Sequence, residues 1–297
     1  MLPSTSVIVP TYNHASFLAG ALQSVLGQTV SPHEVIVVDD GSRDDTAGVL
    51  GRFSGRVHRI AQQNRGVAAA RNVGAAVASG EILAFLDADD LWLPRKLERQ
   101  LGYFSEEPML GLVHCGVELI DRRGCSLGTH TKGMEGWVSR EMLLLDRAVI
   151  LGGGSASIVP RSVFCEVGGF DEKLSTSADW DLYYRIACRY RVGFVPEVLV
   201  RYRIHSGGMH TNIHAMAKDM LRAYGKAFAE NQPELHTLRR RAYGSLHSVL
   251  AGCFLEAGEY REVVHHTLKS VVLTPQKAWR FAAYPIRVLR RRGAGQK

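Results

Sequence analysis

Short apolar blocks alternate with helical spacing over the first ninety or so residues. Ser6-Val7-Ile8-Val9 reads as a buried strand, broken by Pro10-Thr11-Tyr12-Asn13. From His14 a helix is predicted, with Phe17, Leu18, Ala21, Leu22, Val25 and Leu26 on one face. Val35-Ile36-Val37-Val38 is the next strand, and Asp39-Asp40-Gly41-Ser42 ends it. Ser42 or Asp44 can cap a helix carrying Val49, Leu50 and Phe53. Val57 to Ile60 is a weaker strand, and Val67 to Ala78 a small-residue helix stopped by Gly80. Ile82-Leu83-Ala84-Phe85-Leu86 then reads as a strand buried on both faces. This β-α-β-α-β-α-β order predicts an α/β fold with a doubly wound, mostly parallel, Rossmann-like sheet.

After Asp90 the pattern changes. Pro94 suits the first turn of a helix with Leu97, Leu101 and Phe104 on its apolar side. Leu112 to Ile120 and Ser126 to Thr129 flank Asp121-Arg122-Arg123-Gly124 as a hairpin. Gly152-Gly153-Gly154 precedes a predicted strand, Ser155 to Val159, and Pro160 opens a short helix ending at Gly168-Gly169. A helix starts at Asp179-Trp180-Asp181, burying Leu182, Tyr183, Ile186 and Ala187. Val192 to Val195 and Val198 to Ile204 read as two further strands. Beyond about residue 210 only helices are expected. Ala242 to Pro275 resembles one tetratricopeptide-type helix pair, with Ala242, Leu246, Leu250, Ala251, Leu255, Val263, Val264, Leu268 and Val271 as packing positions and a turn at Gly258. One such unit cannot bury its own face, so it should pack on the main domain or on a second copy.

Composition narrows the partners. The chain has 297 residues, 46% hydrophobic and 22% charged, with net charge +7. Arg280, Arg287, Arg290, Arg291, Arg292 and Lys297 crowd the end with no acid among them. That balance favours anionic partners. Nucleic acid is not expected, because zinc spacing, a helix-turn-helix pattern and an aromatic-basic platform are all missing. The five cysteines are far apart and never spaced C-x-x-C, which favours free thiols in a reducing compartment. Neither a signal peptide nor a membrane-spanning run is expected. The expected location is cytoplasmic, with peripheral contact at the inner membrane face.

The chemistry gathers at strand ends. In a doubly wound sheet the ligand sits outside the carboxyl ends of the strands. Thr11-Tyr12-Asn13, Asp39-Asp40 and Asp87-Ala88-Asp89 should therefore converge on one crevice. Packed acids after a buried strand are costly unless a cation or a set of donors offsets them. A solvated, helix-capping turn is the plainer alternative. G-x-G-x-x-G after the first strand and G-x-x-x-x-G-K-[ST] are both missing, which speaks against a usual dinucleotide site and a P-loop.

Several motifs are more specific. These are Val7-Ile8-Val9-Pro10-Thr11-Tyr12-Asn13, Val37-Val38-Asp39-Asp40-Gly41-Ser42, Gly66 with Ala70-Arg71-Asn72-Val73-Gly74, and Gly80-Glu81-Ile82 with Phe85-Leu86-Asp87-Ala88-Asp89-Asp90. Downstream come Val167-Gly168-Gly169-Phe170-Asp171-Glu172, Asp179-Trp180-Asp181-Leu182 and Arg201-Tyr202-Arg203-Ile204-His205. In this order they resemble family 2 of the nucleotide-sugar glycosyltransferases, inverting enzymes of the GT-A fold. The resemblance covers roughly residues 4–210. It implies a GT-A domain over 1–210, with a donor half about 1–108 and an acceptor half about 109–210, followed by a helical extension over 211–297 with a basic tail.

The activity implied is metal-dependent transfer of a sugar from a nucleoside diphosphate, uridine diphosphate first, to an acceptor hydroxyl on a carbohydrate or lipid-linked glycan. Cell-surface polysaccharide or other glycoconjugate synthesis is the implied setting. The cofactor would be Mn²⁺ or Mg²⁺. By resemblance Asp89 ligates the metal, Asp87 and Ala88 face the ribose and the metal's water shell, and Pro10, Thr11 and Tyr12 hold the base, with Tyr12 stacked on it. Asp40 should accept from a base N–H, with Arg71 nearby to compensate it. Asp90 is read as the cap of the next helix. Asp179 is the candidate general base, kept ionised by a helix N-terminus, with Asp181 as its competitor. The family pattern has an acid just before the position of Asp179, where this chain has Ala178. His205 is a tentative further ligand, and Arg201 and Arg203 either meet diphosphate or only flank a strand.

Other readings differ in class. A nucleotide-sugar-binding protein without transfer would lack a workable base, and a nucleotidyltransferase would carry a glycine-rich basic loop after the first strand. Separately, Trp279-Arg280-Phe281 with Tyr284, Ile286, Val288 and Leu289 reads as a basic amphipathic segment for an anionic membrane surface or as a solvated end. The helical extension also offers a route to a homodimer.

Overall fold

A computed structural model describes residues 2–107, 109–205, 208, 212–229 and 237–277; Trp279 and the basic tail lie outside them. In chain order the first elements are β1 (Thr5–Thr11), α1 (Ala15–Leu26), β2 (Glu34–Asp39), α2 (Thr46–Gly51), β3 (His58–Ala61), α3 (Val67–Val77) and β4 (Ile82–Phe85). β1 pairs in parallel with both β2 and β4, and β2 with β3. The apolar blocks become strands because helices cover the sheet on both faces, so Val7, Ile8, Val9, Leu83, Ala84 and Phe85 are fully buried. The alanines of α3 let it press onto the sheet. A Cβ at Gly74 would lie 2.5 Å from Ile8 Cγ2.

Next come β5 (Leu91–Trp92), α4 (Lys96–Glu106), β6 (Leu110–Ile120), β7 (Ser126–His130), α5 (Ser139–Leu144), α6 (Gly153–Ala156), β8 (Ile158–Pro160), α7 (Arg161–Glu166), α8 (Ala178–Ala187) and β9 (Arg191–Arg203). The sheet runs β3-β2-β1-β4-β8-β6-β9-β5, with β7 on β6. β8 is antiparallel to β4 and β6, and β6 is parallel to β9. The predicted hairpin is present as β6 and β7, and α7 starts directly after Pro160.

Two expectations are corrected. Ser155 to Val159 is not one strand. Gly152 and Gly153 take φ of 68° and 51°, which turns the chain into the single turn of α6 before β8 begins. The stretches Val192–Val195 and Val198–Ile204 are not two strands but one, β9, with a bulge. Cys115 pairs with Val195 and the next residue, Gly116, with Val198. Gly116 makes the bulge possible, since a Cβ there would lie 2.7 Å from the Glu197 carbonyl oxygen.

Two compact units divide the chain: Met1–Ser139 with Ala148–Asp219, and Arg140–Arg147 with Met220 onward. The described part of the second holds the end of α9 (Ile213–Ala227), then α10 (Arg239–Glu256), α11 (Tyr260–Leu273) and a short 3₁₀ turn, Pro275–Lys277. α10 and α11 form the expected hairpin at Gly258, whose φ is 78°. α10 buries Ala242, Leu246, Leu250 and Ala251. α11 departs from expectation. Its inward side is His266 and Ser270, whereas Val264 and Leu268 are 59% and 61% exposed. With Tyr260 and Val272 they form an uncovered row at i, i+4 spacing. All five cysteines are free thiols. Among the described residues no helix is long and apolar enough to cross a membrane.

Candidate functional site

The carboxyl ends of β1, β2 and β4 open onto a cleft of about 520 Å³. Pro10, Thr11, Tyr12, Asp40, Asp87, Ala88 and Asp89 all line it, as do His14, Asp90, Tyr202 and Arg203. The turn after β1 is clasped to the turn after β2. Asn13, at φ 56°, donates its N–H to Ser42 Oγ and accepts from the Arg43 N–H. That clasp presents the Tyr12 ring at the mouth, 42% exposed. Thr11 Oγ1 and His14 Nδ1 are buried there with no hydrogen-bond partner among the described residues.

Asp40 is engaged already. It accepts from Gln62 Nε2 at 2.7 Å, from the Arg65 N–H at 2.9 Å and from the Gly66 N–H at 2.8 Å. It thus holds the turn that starts α3 and keeps part of its acceptor capacity for a ligand. Arg71 is not its compensating cation, contrary to expectation. Arg71 is buried on the inner face of α3 and its Nη2 lies 2.5 Å from Asp87 Oδ1. Its guanidinium stands 5.2 Å over the Phe170 ring. Asn72 exchanges two hydrogen bonds with the Phe170 backbone, each 2.9 Å. The Gly168-Gly169-Phe170 segment is thereby fixed against the Arg71 helix. Burial alone would weaken the Arg71 charge; Asp87 and then Asp179 more than restore it.

The acids after β4 have separated in role. Asp90 does not cap a helix; α4 starts only at Lys96. Asp90 is buried, and it accepts from Ser155 Oγ at 2.6 Å and from the Arg203 N–H at 2.7 Å. Burial, together with the negative Asp89 and Asp87, pushes its carboxyl well above the usual range. Ser155 Oγ also accepts from the Asp87 N–H at 3.1 Å. The Ser155 carbonyl accepts from Trp92 Nε1 at 2.9 Å. Arg203 completes the support, giving Nε to the Asp89 carbonyl and Nη1 to the carbonyls of Asp121 and Arg122. It therefore braces a loop, and Arg201 pairs with Glu118 at 2.8 Å.

Asp89 turns the other way. His205 Nε2 is 2.9 Å from Asp89 Oδ2, and His14 Nδ1 is 3.9 Å from the same oxygen. The 2.9 Å separation is about that of two neighbouring ligands on one octahedral ion with bonds of ~2.1 Å. The Phe17 ring supports His205 at 5.2 Å and carries the Arg203 guanidinium at 4.9 Å. Acids that outnumber their cations, with a carboxylate and an imidazole already together, suit a divalent cation.

Asp179 lies behind this rim, close enough to Arg71 and Asp87 for their charges to act on it. Its Oδ1 accepts from the Trp180 N–H at 2.8 Å. A Cβ on Gly153 would fall 2.9 Å from Asp179 Oδ2, and one on Gly154 2.7 Å from Arg71 Nη2. The Gly152-Gly153-Gly154 run is what lets α6 approach both charges. Burial raises the Asp179 carboxyl above its ordinary 3.8, and Arg71 opposes the rise. Helix-terminal stabilisation is therefore not the controlling effect. Asp181, the competing candidate, is engaged by bonds of its own. It is buried against Arg185, 3.0 Å from Nε and 2.8 Å from Nη2, and Arg185 ties it to the carbonyls of Val167 and Gly169.

Sequence reasoning overlooked His14, Phe17 and Ser155 as parts of the site. Spacing alone puts Phe17 on the core face of α1. Ser155 had one available signal, the three glycines before it.

The profile of glycosyl transferase family 2 matches residues 6–167. A Rickettsia typhi protein named as an uncharacterized glycosyltransferase is 32% identical over 207 residues, which is 68% of this chain and 64% of that protein. The chain thus spans a little under two thirds of that relative's length. Among solved structures, a mannosyltransferase from Pyrobaculum calidifontis, in complex with GDP-Man and Mn²⁺, superposes with a TM-score of 0.65 at 22% identity, covering 97% of this chain and 81% of the other. TarS from S. aureus, in complex with UDP-GlcNAc, gives 0.60 at 16% identity, covering 91% of each. Both neighbours share the fold at these identities.

The bonds of the two helix-α8 acids predict opposite effects on stability. Without ligand, Asp181→Ala should lose about 3 kcal/mol in urea denaturation, because the largely enclosed Arg185 loses its carboxylate partner and keeps the neutral carbonyls of Val167 and Gly169. Asp179→Asn should keep or gain stability at neutral pH, since burial already disfavours its charge. Equal losses would contradict the division between an anchoring acid and a site acid.

Proposed function

The chain belongs to glycosyl transferase family 2, and on that premise we propose that it moves a sugar from a nucleoside diphosphate, uridine diphosphate first, to an acceptor hydroxyl, with inversion. The observation that carries this reading is the meeting of Asp87, Asp89 and Arg71 beyond the carboxyl end of β4, with the Arg71–Asp87 pair at 2.5 Å and Asp179 beside it. The proposed division is a donor half about 1–108, an acceptor half about 109–210 and a helical extension over 211–297.

In this reading Tyr12 stacks on the base while Pro10, Thr11 and Asp40 meet its edge. Asp87 and Ala88 border the ribose. Asp89 and His205 would hold Mn²⁺ or Mg²⁺, which when bound supplies positive charge to the leaving diphosphate. Arg71 fixes Asp87 and balances Asp179. The acceptor hydroxyl gives its proton to an Asp179 carboxylate oxygen as its own oxygen bonds to the anomeric carbon. The bond to the diphosphate breaks on the opposite face of the sugar, and one displacement gives inversion. The acceptor would be a carbohydrate or a lipid-linked glycan, in cell-surface polysaccharide or other glycoconjugate synthesis. The basic tail beyond Ala278 would bring the enzyme to an anionic membrane surface, and the helical extension would join two copies.

Asp179→Asn should bind donor with nearly unchanged affinity yet lose transfer by roughly 10²–10⁴-fold, the usual worth of a general base. Asp89→Ala should lose metal-dependent donor binding. Because the base works deprotonated and burial raises its pKa, wild-type turnover should fall on the acid side at a pH above the ordinary aspartate range. Full transfer by Asp179→Asn would overturn the base assignment. Flotation with anionic liposomes should recover the whole chain well and the chain lacking 276–297 poorly; equal recovery would remove the membrane reading.

A further inference from the structure

The C-terminal helical unit carries a group of ligating side chains that sugar transfer does not use. Glu262, His265 and His266 stand at i, i+3 and i+4 on α11, so they share one side of the helix. One ligand atom from each lies within 4.8 Å of the other two. We propose that these three side chains form a binding site for a transition-metal ion, zinc in chemical class, separate from the Asp89 and His205 cleft.

His266 is the anchor. Its side chain is only 5% exposed, and its Nε2 is 3.9 Å from Glu262 Oε2, beyond hydrogen-bond reach. Its other ring nitrogen, Nδ1, is 2.8 Å from Nδ1 of His247, a buried residue of α10. One of these two nitrogens must carry the proton. If His266 Nδ1–H donates to His247, the His266 Nε2 lone pair faces Glu262 and His265. Tying the outer N–H of a metal-binding imidazole to an acceptor is how such ligands are oriented. Phe254 lies flat against the His266 ring, 5.3 Å between centroids and 12° from parallel, and holds it in plane.

The chemistry favours an ion with a taste for nitrogen. Two imidazoles and one carboxylate are a ligand set for Zn²⁺, with the fourth position open to water. Bonds of ~2.0–2.2 Å place ligand atoms about 3.3–3.6 Å apart on a tetrahedral ion. Closing the gaps to that value takes small rotations of Glu262 and His265, which are free to make them because Glu262 is 40% exposed and His265 lies at the surface. His266 stays fixed. An ion held there would pin α11 to α10 through the His266–His247 bond.

The test uses the full chain carrying Asp89→Ala and His205→Ala, which silences the other cleft. After stripping with chelator, Zn²⁺ is titrated in competition with a chromophoric chelator at neutral pH, and Tm is followed. The expected result is one zinc per chain with a rise in Tm. His265→Ala and Glu262→Gln should each weaken binding by roughly tenfold or more, the range seen when metal-site partners are changed. Circular dichroism of the metal-free variants should match the parent, since both residues are at or near the surface. Zinc uptake that is missing in the silenced chain, or that is untouched by His265→Ala with Glu262→Gln, would overturn the proposal.

Discussion

The site rests on one partly buried ion pair, the enclosed Arg71 against Asp87. A guanidinium enclosed in a small-residue helix is tolerable only with carboxylates to answer it. Asp87 answers directly and Asp179 at longer range, so one charge couples the end of β4 to the start of α8. The surrounding sequence makes room for it. Alanines and Gly74 bring α3 onto the sheet, Gly154 gives the guanidinium its space, and Phe170 covers its face. Any residue that displaces Arg71 would leave Asp87 and Asp179 repelling each other beyond the end of β4.

A second set of bonds sets the direction of the acids. Asp90, Ser155 and Arg203 tie the Asp87-Ala88-Asp89 turn to α6 and to the end of β9. Asp90 takes the inward role, which leaves Asp89 to face His205. The three acids thus have three surroundings: an arginine for Asp87, an imidazole for Asp89, and for Asp90 the bonds that fasten the loop.

The parallel half of the sheet was legible from residue pattern, because the apolar blocks of β1, β2 and β4 are each one buried strand, while β3 at the end of the sheet is largely exposed and correspondingly weaker in pattern. The convergence of Tyr12, Asp40 and Asp89 followed from the topology of such sheets. What pattern missed depends on tertiary contacts. The partner of Arg71 is chosen by which side of α3 meets β4, and spacing along α3 does not carry that. The inward Asp90 depends on Ser155 and Arg203, 65 and 113 residues away. The bulge that makes β9 one strand needs Gly116 on another strand. On α11 the apolar row points outward because His266 and Ser270 occupy the inner side, an inversion of the usual packing preference.

In the proposed function the cleft holds a nucleoside diphosphate together with a divalent cation. A thermal-shift screen of nucleoside diphosphates and nucleotide sugars, with and without Mn²⁺, tests it on the unmodified chain. At least one nucleoside diphosphate should raise Tm, and the rise should depend on the metal. No shift with any of them, or an equal shift without metal, would contradict it.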